Sequence, residues 1–167
     1  LNVLKESTSN LISNDAIQLA VFITDNYGLD SNYQVMLWFA TADRMIAQHH
    51  YDSAFVLFDS IQTQFPYHSL ADDILYRKAQ ALEQRGEWQQ ALGFYADLLK
   101  LHGKDILADD ALFRTAEILE LRILDKEAAV ESYKKLLLDY KSSLYGAEAR
   151  KRIRLIRGDA LSESDEL

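Results

Sequence analysis

Cysteine is absent from all 167 residues. Disulfide frameworks, Cys-ligated zinc and thiol nucleophiles are therefore excluded. Proline occurs once, at Pro66, and glycine six times. A turn-rich β-fold uses both freely, whereas helix interiors disfavour both, so the scarcity points to long helices. Long apolar runs are missing too. The stretch Val35–Ala42 is among the longest uncharged ones and falls far short of the roughly 20 residues of a membrane-spanning helix. No Gly-rich phosphate cradle, Ser/His/Asp arrangement or G-x-S-x-G elbow is present. The expectation is a chain with no catalytic, cofactor-binding or metal site, and not an enzyme.

Basic residues are scarce everywhere except near the end. Residues 1–133 hold 10 Lys/Arg against 20 Asp/Glu, residues 134–157 hold 8 against 2, and residues 158–167 hold four acids and no base. The acidic body repels phosphate backbones and anionic lipid, so no nucleic-acid partner and no membrane insertion are expected. Arg150-Lys151-Arg152-Ile153-Arg154-Leu155-Ile156-Arg157 reads as a terminal capping helix with a polar outer face. The acidic residues after it read as a solvated, flexible tail. The chain begins at Leu1 rather than Met, so a fragment of a longer protein is expected, its targeting segment left out.

What is present in abundance is repetition. Leu70-Ala-Asp-Asp-Ile-Leu-Tyr-Arg-Lys-Ala79 returns as Leu107-Ala-Asp-Asp-Ala-Leu-Phe-Arg-Thr-Ala116, displaced by 37 residues. Ala42, Ala79 and Ala116 hold one position of a first helix. Ala54, Ala91 and Ala129 hold one position of a second, and Phe58, Tyr95 and Tyr133 follow four residues later. Two antiparallel helices approach closely only where both present small side chains, and a ring one turn on fills the gap beside them. The third unit carries one extra residue, expected in its inter-helix turn.

Apolar periodicity and stop signals predict nine helices, over about 2–12, 14–28, 30–48, 51–65, 70–85, 87–101, 106–122, 125–140 and 143–157. The organisation is then 1–30 as a preceding partial repeat, 31–157 as three helical pairs plus a cap, and 158–167 as the tail. The acids Asp72-Asp73 and Asp109-Asp110 recur at helix starts, where carboxylates complement the dipole; adjacent residues diverge by about 100° and do not converge on an ion. His49-His50 fall in a turn without the i,i+4 spacing of a zinc pair, and read as exposed turn residues.

This pattern resembles the tetratricopeptide repeat family, which has a small residue at position eight, Ala at twenty, an aromatic at twenty-four and often Pro at thirty-two. Ala42/Ala54/Phe58/Pro66 supply all four, and Ala79/Ala91/Tyr95 and Ala116/Ala129/Tyr133 the first three. The resemblance covers about residues 35–157 and implies an all-α, right-handed superhelical array that binds a protein or peptide in its concave groove. It also implies the groove positions. Position five gives Phe39, Tyr76 and Phe113, an aromatic ladder flanked by Arg77 and Arg114. Position nine gives Asp43, Gln80 and Glu117, and position twelve gives Ile46, Glu83 and Glu120. Phe39 and Asp43 stand where some members carry a carboxylate clamp, which argues against chaperone-tail binding. The longer link Phe65–Asp73 is similar to those of bacterial envelope members, the outer-membrane assembly lipoproteins and TolA-binding periplasmic proteins. It implies a segment of an envelope protein, periplasmic or outer-membrane associated, with the cytoplasm as the alternative. A self-associating homo-oligomer, and a helical ligand-sensing or enzyme domain, are the competing readings.

Overall fold

The computed structural model describes residues 32–159, so the expected helices over 2–12 and 14–28, and residues 160–167 of the tail, lie outside the described residues. Contacts divide the chain into two units, meeting between Ala71 and Asp72. The first contains α1 (Tyr33–Ala47) and α2 (Tyr51–Gln64). The second contains α3 (Ala71–Arg85) from Asp72 on, α4 (Trp88–Leu101), α5 (Ala108–Ile118), α6 (Lys126–Asp139) and α7 (Gly146–Arg157). Among the described residues every regular element is helical, and the chain is an all-α helical repeat array.

In the first unit, Asn32 caps α1, its Oδ1 accepting the Val35 N–H at 3.4 Å and so satisfying one orphan amide. Val35, Phe39, Ala42 and Ile46 form the buried stripe of α1 and meet Ala54, Phe58 and Ile61 of α2. Ala42 and Ala54 have no exposed surface, as the close approach of the two helices demands. The Phe39 and Phe58 rings lie 5.3 Å apart. Helix α2 stops at Phe65, the residue that Pro66 pushes out of helical geometry.

The second unit repeats the arrangement twice. Leu112, Phe113 and Ala116 of α5, Ala129, Tyr133 and Leu136 of α6, and Ala149 and Ile153 of α7 make one apolar cluster. Asp125 caps α6 through the Ala128 N–H at 3.0 Å. Each pair turns through one left-handed residue, at His49 (φ 62°), Gly86 (φ 75°) and Leu124 (φ 63°). The next amide then reaches back into the helix: His50 N–H to Met45 O at 2.8 Å, Glu87 N–H to Leu82 O at 2.9 Å, and Asp125 N–H to Leu119 O at 2.9 Å. His49 and His50 are exposed, and His49 Nδ1 hydrogen-bonds Tyr51 at 2.8 Å.

Two expectations change. The extra residue of the third pair is not in the turn itself. It is absorbed one step earlier, where α5 widens into a π-helical segment, Leu119–Ile123, before the same left-handed cap. The last helix starts at Gly146 rather than 143, because 140–146 belongs to a link. All three links are two successive i→i−3 turns. His68 N–H bonds Phe65 O and Ala71 N–H bonds His68 O; the same pattern recurs at 102–108 and 140–146, with distances of 3.0–3.2 Å. This doubled turn has the same length in all three links.

Candidate functional site

The first helices of the second unit, α3, α5 and α7, share one face joined by ion pairs. On it, Glu83 is the centre of a small network. Tyr95 of α4 donates its hydroxyl to the Glu83 carboxylate, and the Arg114 guanidinium from α5 pairs with the same group. Arg114 also reaches Glu117 at 2.7 Å. One repeat later the arrangement returns. Tyr133 donates to Glu120 at 2.8 Å, and Arg152 from α7 stands 3.5 Å from Glu120 while holding Glu148 at 2.7 Å. A carboxylate at the end of a first helix thus accepts from its own second helix and from the first helix of the following repeat.

Burial gives these contacts weight. The Glu83 and Glu120 side chains are only 9% and 12% exposed, whereas Arg114 keeps 42%. A carboxylate so far from water needs its partners, because an unpaired buried charge is costly. Burial, reinforced by the bond to Glu83, drives the Tyr95 hydroxyl far above its ordinary pKa. Burial and the Glu120 bond do the same to Tyr133. Burial alone would weaken the Arg114 charge, but the Glu83 bond and the nearby carboxylates outweigh it and raise its pKa.

The ladder positions separate. Tyr76 is half-buried, edge-on to Tyr95 at 5.6 Å, and burial with the Asp110 charge pushes its hydroxyl up to about 12. Phe39 and Phe113 are 5% and 6% exposed. Phe39 packs on Phe58, and Phe113 is stacked under Tyr145 at 4.3 Å, so both rings support the surface from beneath. Gln80 accepts from Arg77 at 2.8 Å, and Gln80, Arg77 and Glu117 are all half-buried at the surface. Asp43 is half-buried on α1 in the first unit.

The paired acids behave as helix-start residues with one addition. Asp109 and Asp110 open α5, and the Asp110 N–H bonds the Asp109 carboxylate at 3.0 Å. Asp110 additionally receives the Tyr145 hydroxyl. Burial raises the pKa of Asp110 and of Asp72, although the Tyr145 bond opposes the shift at Asp110 and backbone amides oppose it at Asp72. Among the described residues, no group of three His, Asp or Glu is placed to hold a metal ion. No described helix is long and apolar enough to cross a membrane.

Sequence reasoning assigned Glu83, Glu120 and Arg114 to a ligand and missed their internal partners Tyr95, Tyr133 and Arg152. The signal was available: where the first pair has Ile46 with Phe58, the next two have Glu83 with Tyr95 and Glu120 with Tyr133. An acid and a hydroxyl enter together.

Residues 73–105 and 110–143 match the tetratricopeptide repeat family. These two segments cover α3–α4 and α5–α6 with their links and are similar to such repeats, which generally mediate protein–protein interaction. No curated protein matches the chain.

Proposed function

From two tetratricopeptide repeats in register, we propose a non-enzymatic interaction module that binds an extended peptide or protein segment on the first-helix face of α3, α5 and α7. The observation that carries it is the geometry of this face: ion pairs hold three helices in a row, and the half-buried side chains of Tyr76, Arg77, Gln80 and Glu117 lie at its surface. A fixed row of helices with mixed polar and aromatic side chains binds without reorganising, which limits the entropic cost of association. Phe113, Glu83 and Glu120 hold this face in shape, and Arg114 does both tasks. Asp43 and Phe39 occupy the corresponding positions of α1.

The test is a peptide-display selection on the purified protein, followed by mapping of the selected peptide by amide shift perturbation. Binding to this face moves resonances of Tyr76–Glu83 and Arg114–Glu117, and a Gln80→Ala/Glu117→Ala double variant, still folded by circular dichroism, weakens binding about tenfold or more. Selected peptides that map to the outer sides of α4 and α6 would overturn the reading. A mass that rises with concentration in light scattering would favour self-association instead.

We further propose that the module belongs to a larger bacterial envelope protein, in the periplasm or at the outer membrane. The doubled-turn link supports this through its similarity to envelope members. Fractionation of the tagged native protein tests it, and recovery with the cytoplasmic fraction would overturn it.

A further inference from the structure

The carboxylates of the first-helix face differ in their partners. Glu83 and Glu117 hold Arg114, while Glu120 and Glu148 hold Arg152. Asp110, in the first turn of α5, is the exception. It accepts the neutral Tyr145 hydroxyl, and the charge that acts on it is that of Asp109, a second acid. Register shows what it lacks. One repeat later its position is Glu148, which takes the guanidinium four residues on, Arg152, at 2.7 Å. The equivalent guanidinium for Asp110 is Arg114, and that one turns instead to Glu83 and Glu117. Asp110 is thus a half-buried carboxylate with no cation against it among the described residues. Such a charge is costly to hold alone, and an incoming cation recovers the cost.

The surroundings of Asp110 are aromatic. Its i, i+3, i+7 spacing to Phe113 and Glu117 puts the three on one stripe of α5. Tyr145 lies flat on Phe113, the ring centres 4.3 Å apart and the planes 14° from parallel. Its amide donates to Ser143 Oγ at 3.2 Å and its hydroxyl to Asp110, so the half-buried ring is fixed before any ligand arrives. Tyr76 of α3 stands within electrostatic reach, because after burial the Asp110 charge is what raises its hydroxyl most. Burial first, and Asp110 second, keep both tyrosines neutral at ordinary pH, so their rings present the negative π face that attracts cations. The chain seats its own cations this way: Arg122 stands 4.9 Å over Trp88, and Lys78 Nζ 5.5 Å over Phe94. The combination of acid and ring occurs once, since one repeat earlier the positions of Asp110 and Tyr145 are Asp73 and Leu107.

We propose that this place takes one lysine or arginine side chain of the partner segment, its cation held by the Asp110 carboxylate and lying against the Tyr145 ring beside Tyr76. The inference rests on the interaction face described above and names the residue type that the face selects. Around the site Glu83, Asp109, Asp110 and Glu117 outnumber Arg77 and Arg114, so charge complementarity favours a cation over an acidic side chain. A guanidinium or ammonium gains there from a charge-assisted hydrogen bond and from the ring together. Because Tyr145 is already fixed, little freedom is lost when the cation docks.

The experiment screens display libraries of short peptides on the whole chain, with the central residue fixed as lysine, arginine, glutamine or glutamate and no other charge allowed. The best peptide is mapped by amide and aromatic shifts and titrated against the parent and Asp110→Asn. Asparagine keeps an oxygen to accept the Tyr145 hydroxyl, and circular dichroism checks that the variant folds. The site predicts enrichment of the lysine and arginine peptides, with shifts at the Asp110 amide and the Tyr145 ring. Asp110→Asn should weaken them about tenfold, as loss of one charge-assisted contact gives. Replacing the peptide arginine by citrulline should cost the parent a similar factor and the variant little, a cycle whose parent arm needs no substitution in the protein. Affinity that both Asp110→Asn and citrulline leave unchanged would overturn the proposal. Glutamine or glutamate peptides that bind the same face as well would also overturn it, while leaving the interaction face standing. Peptides that map to the outer sides of α4 and α6 would overturn both.

Discussion

The pair α1–α2 and the pairs α3–α4 and α5–α6 solve one packing problem with different chemistry. All three use alanine at the close approach and a ring four residues after the second alanine. In α1–α2 the ring is Phe58 and the residue at the end of the first helix is Ile46, both buried and apolar. In the other two the ring is tyrosine, the partner is glutamate, and an arginine from the following first helix completes the set. The apolar version supplies cohesion without direction. The polar version adds direction, because a carboxylate with two donors fixes where the next helix must stand. Its weakness is that each member depends on the others.

The largest expected consequence is alkaline sensitivity centred on the polar pairs. The Tyr95 and Tyr133 hydroxyls are fully buried and their pKa values are raised, by burial first and by the glutamate bonds second. A hydroxyl whose folded pKa lies above its unfolded value of about 10 contributes stability that is complete below pH 10 and lost as the pH climbs toward the folded value. Each of the two tyrosines should then remove up to about 1.4 kcal/mol per pH unit above pH 10. Tyr76, half-buried and pushed up to about 12, adds a smaller share between 10 and 12. Urea titrations from pH 9 to 12 should show this slope, and Tyr95→Phe should flatten it. A slope that Tyr95→Phe leaves untouched would locate the alkaline transition elsewhere.

Breaking the polar set should cost more than converting it. Glu83→Ala leaves the Tyr95 hydroxyl buried without its acceptor and reduces Arg114 to Glu117, for an expected loss of about 2–4 kcal/mol. The 42% exposure of the Arg114 side chain keeps the figure below that of a fully buried pair. The double change Glu83→Ile/Tyr95→Phe instead installs the chemistry of Ile46 and Phe58, and should fall within about 1 kcal/mol of the parent, because replacing a buried polar set by apolar groups of similar volume is often close to neutral. A double-mutant cycle by denaturant unfolding measures the coupling. Additive losses would mean that Glu83 and Tyr95 are neighbours without being partners.

Most of the fold was legible in the sequence, because helix packing rests on positions that repeat: Ala79 and Ala116, Ala91 and Ala129, Tyr95 and Tyr133 all sit where spacing alone puts them. Position-five rings were less legible. Phe113 and Tyr76 are equivalent by register, yet Tyr145, contributed by a later link, stacks on Phe113. No pattern within one repeat reveals what a neighbour lays over it. Glu83 and Arg114 were assigned to a ligand because a face position does not say whether a charge looks outward or sideways. The exchange of Ile46/Phe58 for Glu83/Tyr95 was the readable clue, since an acid and a hydroxyl that replace two apolar residues together imply a bond.

The π-helical segment was the other hidden feature, and it carries the smallest expected effect. One added residue had to be placed somewhere, and composition did not say whether the turn or the helix would yield. The turn is the stiffer element, because its left-handed residue and the amide after it are the same in all three pairs, so the helix widened. Sequence usage at that left-handed position is uneven: Gly86 adopts φ 75° without strain, while Leu124 and His49 hold φ near 62° against their own Cβ atoms. A left-handed non-glycine residue costs roughly 1–2 kcal/mol, and glycine returns part of that through its greater freedom in the unfolded chain. Leu124→Gly should therefore stabilise the protein by about 0.5–1 kcal/mol, given that the Leu124 side chain is 70% exposed and surrenders little packing. His49→Gly should act in the same direction by less, since it gives up the bond to Tyr51. Gly86→Ala should destabilise by about 1 kcal/mol. Thermal unfolding of the three variants orders them, and a destabilising Leu124→Gly would mean that leucine there makes a contact worth more than its strain.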